Sequence, residues 1–290
     1  MIVTSMDSSA YNFKRCKLCR EIAAEPAYDL GDSTIYVCRN CDFHFLSQLD
    51  CLSEKTTEEG QLNETSRRYI ESRMDENSPL LQNRLNFVKR QLDLSQCKTL
   101  DIGAGLGQFQ LLLNGCGAKV KGIEPSSLRR AYALEKFAVN LHSELVDHDY
   151  WQTGFVQYFD LITLWDVIEH VDFPRETLES AFKLLKPGGM LFLDTPSREV
   201  LSYQLSQQLY RFSAGKISLF LPSFYSTVRY GHKQIFTQQQ LSGLIESCGL
   251  GIVFSTDSDT NKLFSSHKII LAGRKTEPTP AETKPSTVRH

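Results

Sequence analysis

The chain has 290 residues, 41% of them hydrophobic and 23% charged, with a formal net charge of -2. That composition belongs to a globular protein long enough to bury a real core, and so small a net charge excludes long-range attraction to nucleic acid. No apolar run approaches the roughly 18–20 residues of a membrane helix, and MIVTSMDSSAYNFKR lacks the order of a secretory signal, so no membrane span and a cytoplasmic location are expected.

Eight cysteines are present, and four fall in two pairs, Cys16/Cys19 and Cys38/Cys41, spaced C-x2-C-x18-C-x2-C. The other four, Cys51, Cys97, Cys116 and Cys248, are scattered, which fits a metal site better than a disulfide framework. Two C-x-x-C turns can aim four thiolates at one ion. Zinc suits such a tetrahedron, and with no open position the ion is expected to be structural. Residues 14–50 therefore read as a zinc ribbon, with a hairpin turn at Gly31-Asp32. Lys14, Arg15, Lys17, Arg20 and Arg39 make the ribbon somewhat basic. Either they are a solvated face, or the ribbon recruits RNA or protein.

Residues 51–94 read as a linker and helical bridge: a polar stretch over 51–66, then Leu81, Leu85, Phe87, Val88 and Leu92 near helical spacing, with Pro79 suited to a first turn. From 95 to 273, strand-like KTLDI, AKVKGIE, AVNLH, FDLITLW and GMLFLDT alternate with helix-like FQLLLNG, SSLRRAYALEKF, PRETLESAFKLLK and TQQQLSGLIESCG. This predicts an α/β fold with a mostly parallel sheet covered by helices. GIVFST and HKIILAG predict a closing antiparallel hairpin at the sheet edge. The rhythm breaks at about 197–236, rich in Tyr, Phe and Leu, which is either a lid over the ligand or a packing element. The tail, 274–290, is rich in proline and threonine and is expected to be disordered.

In LDIGAGLGQF a strand runs into a glycine turn and then a helix, which aims backbone N–H groups at a ligand. The spacing of Gly103, Gly105 and Gly107 is G-x-G-x-G, not the dinucleotide G-x-G-x-x-G, which disfavours an NAD-dependent oxidoreductase. Asp101 would repel a pyrophosphate but suits the ammonium of S-adenosylmethionine (SAM). Glu124, one βα unit later, is placed to accept hydrogen bonds from ribose hydroxyls.

With these motifs the chain resembles a class I SAM-dependent methyltransferase of Rossmann-like fold. LDIGAGLGQF is similar to the family's first motif, GIEPS to its ribose-binding strand end, FDLITLWDVIEHV to its fourth strand and LKPGGMLFLDTPS to the turn into its fifth. CKLC and CRNCDFHFL resemble the zinc-binding segment that precedes a subset of these enzymes, some acting on sugars and polysaccharides. The resemblance implies that Asp101 and the Gly103–Ala104–Gly105–Gly107 turn hold the methionine end, that Glu124 binds ribose, that Leu145 and Val146 flank the adenine, and that Asp166 also belongs to the cofactor site. A small-molecule or glycan-like acceptor is implied.

Chemistry is expected beyond the fourth strand, where Asp166, Glu169 and His170 share one D-x-x-E-H turn. Two readings stand: a divalent-cation site like that of ubiquinone-type O-methyltransferases, or residues that fix the turn. His232, in an H-x-x-x-F-[ST] pattern with Phe236 and Thr237, is either a base facing the acceptor or an anchor of the insert. The identity of the acceptor, the methylated atom and the oligomeric state are not encoded in any motif.

Overall fold

The computed structural model describes residues 11–50, 62–74, 79–228, 230–255 and 268–277. In the N-terminal segment β1 (Ala24–Asp29), β2 (Thr34–Cys38) and β3 (His44–Leu46) form an antiparallel meander. Its first turn depends on Gly31, whose φ of 93° lies where side chains are disfavoured.

Helices α1 (Glu64–Arg73) and α2 (Pro79–Lys89) follow. The start of α1 lies inside the stretch read as linker, because Asn63 and Ser66 close a reciprocal capping box with two bonds of 2.9 Å. Of the expected linker, residues 51–61, including Cys51, fall outside the described residues.

The second unit comprises β4 (Lys98–Ile102), α3 (Gln108–Gly115), β5 (Lys119–Ile123), α4 (Ser127–Phe137), α5 (Asp149–Gly154), β6 (Phe159–Trp165), α6 (Pro174–Leu184) and β7 (Leu185–Pro196). It continues with α7 (Leu201–Phe212), α8 (Leu221–Phe224), β8 (Gln234–Ile235), α9 (Gln238–Ser247), β9 (Leu250–Ser255) and β10 (Lys268–Lys275). The main sheet runs β5-β4-β6-β7-β10-β9, parallel through β7 and antiparallel at β10 and β9. Its order reverses between β4 and β6, so the loops after these two strands flank the crevice where open α/β sheets bind ligands. The central strands are apolar on both faces, as a doubly covered sheet requires; Leu161, Ile162, Leu164, Leu191, Phe192 and Leu193 are all buried.

Three expectations change. AVNLH is not a strand: only His142 bridges Ile123, while Val139 and Leu141 are buried against Gly107 and Gly122. The loop read after it contains the short helix α5, fixed by buried Trp151, whose Nε1 donates to Glu144 O at 2.8 Å. The last strand extends to Lys275, whose ammonium caps Phe182 O and Leu185 O, so the expected tail begins later; residues 278–290 lie outside the described residues.

The insert is not irregular. It contains α7, in which Leu201, Leu205 and Leu209 recur at helical spacing, and the short strand β8. That strand pairs with β3 (His44 with Ile235, Phe45 with Gln234), making a four-stranded sheet β1-β2-β3-β8. Ribbon residues Phe43 and Phe45 are fully buried in one core with Phe236 and Leu241, and the Phe43 and Phe236 rings lie 5.0 Å apart. The ribbon is thus part of the wall of the second unit, joined to it by sheet and core.

Candidate active site and metal centre

Each C-x-x-C pair sits on a tight turn. Arg20 N donates to Cys16 O at 3.0 Å and Asp42 N to Cys38 O at 2.8 Å, and Arg20 and Asp42 both take the left-handed conformation. This brings Cys16 Sγ to 3.6 Å from Cys41 Sγ and Cys19 Sγ to 3.6 Å from Cys38 Sγ, with all four sulfurs within 4.8 Å of one another. Zn–S bonds of about 2.3 Å give a tetrahedron with edges of about 3.8 Å, so the four residues fit a closed four-thiolate site. Much of the ribbon's positive charge is engaged: Lys17 is buried, Arg20 pairs with Glu176 and Glu179, and Arg39 pairs with Glu25.

After β4 the backbone of Gly103, Gly105 and Gly107 takes φ of 71°, 58° and 75°. A Cβ at Gly103 would lie 2.4 Å from Val167 Cγ2 and one at Gly107 2.6 Å from Val139 Cγ1, whereas one at Gly105 would meet nothing within 4 Å. Two glycines therefore permit packing of the loop, and the middle one faces open space, a cradle whose floor is backbone. Glu124 closes its side: the buried carboxylate accepts from Gly105 N and Ser126 N, both at 2.9 Å. The space over Gly105, with the Glu124 carboxylate at its rim, is open to a ligand. Asp101 is deeper than expected, buried and accepting from Thr163 Oγ1 at 2.6 Å, and burial pushes its carboxyl up to about 7. It braces the loop from below. The two expected adenine neighbours separate: Leu145 is exposed, while Val146 is buried in the main core.

At the end of β6 the structure assembles a different set from D-x-x-E-H. Asp166, with φ of 55°, turns its carboxylate to Arg84 Nη2 at 2.6 Å and to Lys268 Nζ. Arg84 also grips the buried Asp194 at 2.7 Å. Asp166 is therefore committed to an ion-pair cluster and is absent from the potential ligand set. Neither Arg84 nor Lys268 was singled out in the sequence; the legible signal was Asp194, a carboxylate inside the apolar run FLDT. Arg84→Ala leaves Asp194 buried with a weaker partner, and is expected to lower unfolding free energy by about 3–5 kcal/mol. An unchanged urea midpoint would refute that role.

His232 takes the place expected for Asp166. Its donor atoms and those of Glu169 and His170 lie within 4.8 Å of one another, and the two imidazole rings are 4.7 Å apart. Burial pushes the His170 imidazolium down to about 4, with His232 adding to the effect, and burial lowers His232 as well, which favours the neutral ring in both. Burial, then the nearby Asp166, raises Glu169 to about 8. One Glu169 oxygen accepts from Thr195 Oγ1 at 2.9 Å; among the described residues, buried Oε1 has no hydrogen-bond partner, nor do His170 Nδ1 and Gln234 Oε1. Val167, whose carbonyl accepts from His170 N at 2.9 Å, packs its side chain against Gly103 of the glycine loop. The trio is bound to the ribbon sheet through β8, since Lys233 N donates to Glu169 O at 2.8 Å and Gln234 Nε2 to Ile168 O and Val171 O.

A family model described as a methyltransferase domain matches residues 63–253, about two thirds of the chain. A ubiquinone biosynthesis O-methyltransferase from Thiobacillus denitrificans is 32% identical over 126 residues, 42% of this chain and 54% of that protein. One from Hydrogenovibrio crunogenus is 27% identical over 191 residues, 64% of this chain and 75% of its own. The match thus spans about half the length of several curated relatives. The solved PH0226 protein from Pyrococcus horikoshii shares the fold, with a TM-score of 0.52 at 14% identity, covering 74% of this chain and all of that one. With the family model spanning the sheet and its glycine cradle, the chain belongs to the methyltransferase-domain family, as a class I SAM-dependent methyltransferase carrying an N-terminal four-cysteine ribbon.

Proposed function

We propose that the protein transfers the methyl group of SAM to an oxygen of a small-molecule acceptor, and that the four cysteines hold a structural zinc ion. The observation that carries this reading is the convergence of Glu169, His170 and His232 beside the cradle, at the switch point of the sheet. The relatives named as O-methyltransferases support an oxygen acceptor, and the engaged ribbon cations speak against recruitment of nucleic acid.

SAM supplies a methyl bound to a positively charged sulfur, an electrophile with an excellent leaving group. The chain's own task is positioning and proton removal. The glycine backbone and Glu124 would orient the donor. A neutral His232, with Nδ1 3.3 Å from Phe224 O, can take the acceptor's hydroxyl proton at Nε2 if Nδ1 carries the hydrogen.

His232→Ala is expected to leave SAM affinity unchanged while turnover falls about a hundredfold, read by mass shift of phenolic and sugar acceptors incubated with SAM. Full turnover would remove His232 from the reaction. The orphaned Glu169 Oε1, His170 Nδ1 and Gln234 Oε1 favour a second reading, in which Glu169, His170 and His232 hold a divalent cation that would lower the hydroxyl's pKa. Turnover restored by Mg2+ or Mn2+ after mild chelation assigns the trio to a cation; equal turnover with and without assigns it to proton transfer.

A further inference from the structure

Helix α7 presents its apolar side to solvent. Tyr203 and Ser206 are fully buried against the ribbon and insert, and the Tyr203 hydroxyl lies 2.9 Å from His44 Nδ1 and 2.7 Å from Tyr225 Oη. Leu201, Leu205, Leu209 and Phe212 form a stripe roughly opposite, at about 100° per residue, with Leu201 69% and Phe212 87% exposed. A helix on a globular protein ordinarily buries such a stripe. Ile217 and Phe220, just beyond the helix, are exposed as well, so the apolar surface continues past its end.

Charge identifies the occupant. No Asp or Glu occurs between Glu199 and Glu246, although the chain has 34 acidic residues in 290. Arg211 and Lys216 flank Phe212 in sequence. The ribbon acids Asp29 and Asp32 lie by Tyr210 and Thr227, and Tyr210 is on the buried side of the helix. A second copy docked through this same face would bring cations together with no carboxylate from the segment to meet them. An apolar stripe edged by cations matches the boundary between headgroups and acyl chains of an anionic bilayer, where leucines enter and lysine or arginine meets phosphate. No helix among the described residues is long and apolar enough to cross a membrane, which leaves attachment in the plane of the surface.

We propose that the exposed face of α7 and the loop after it dock the protein peripherally on an anionic membrane surface. This is independent of the acceptor and is tested without it. The full chain is floated with phosphatidylcholine vesicles and with vesicles of phosphatidylcholine and phosphatidylglycerol. It is expected to float with the anionic vesicles only and to be released by salt. Leu205→Asp combined with Phe212→Asp should weaken binding at least tenfold, and Lys216→Glu about fivefold, with melting temperatures unchanged because these side chains are exposed. Absence of flotation overturns the proposal, as does equal flotation of the double variant. A wild type that sediments as a dimer, becomes monomeric in the double variant and ignores vesicles also overturns it.

Discussion

Cys38→Ser, or removal of the ion by a strong chelator, is expected to unfold the ribbon and abolish methyl transfer together. The thiolate cluster holds the two turns that bracket β1 and β2, and β3 pairs with β8. Lys233 and Gln234, at the start of that pairing, carry the turn of Glu169 and His170, with His232 adjacent. Releasing the ribbon also exposes Phe43, Phe45 and part of the surround of Phe236, all fully buried. At about 1.5–3 kcal/mol for each buried phenylalanine, the loss rivals the 5–15 kcal/mol that stabilises an ordinary domain. Element analysis is expected to find about one zinc per chain in the wild type and none in the variant, with the melting temperature lowered by more than about 10 °C. A metal-free protein that keeps its melting temperature and turnover would show the ribbon to be a dispensable appendage.

Gly105→Arg is expected to weaken SAM binding by at least a hundredfold while the protein stays folded. A Cβ at Gly105 meets no protein atom within 4 Å, so a side chain can start there without a clash and is expected to occupy the cradle. Its φ of 58° costs about 1–2 kcal/mol for a residue with a Cβ, well within an ordinary margin of stability. Gly103→Ala and Gly107→Ala provide the contrast. Their new Cβ atoms collide with Val167 and Val139, so these variants should lose stability as well as affinity. Calorimetry with SAM, paired with thermal melts, separates the outcomes. Undiminished affinity in folded Gly105→Arg would place the donor elsewhere, and binding of NAD in its place would overturn the assignment of the cofactor.

Local patterns made much of this legible in advance. Cysteine spacing disclosed the four-sulfur cluster, because two short turns can meet in few ways. The glycine turn disclosed the cradle, because its conformations depend on residues adjacent in the chain. Alternation of apolar runs disclosed the parallel sheet and its antiparallel edge. AVNLH misled because its valine and leucine serve packing under glycines, a role with the same composition as a strand. In D-x-x-E-H, sequence proximity suggested that Asp166 joins Glu169 and His170. Arg84 and Lys268, which come from distant parts of the chain, draw its carboxylate away.

The sequence by itself therefore determined the fold class, the cysteine cluster and the glycine turn after β4, since each depends on spacing within a few residues or on a repeated period. Only the tertiary structure decided that the ribbon shares a sheet with the insert, that His232 completes a trio with Glu169 and His170, and that α7 shows its leucines to solvent. Those outcomes depend on which distant segments meet, and contacts between segments far apart in the chain leave no fixed spacing to read.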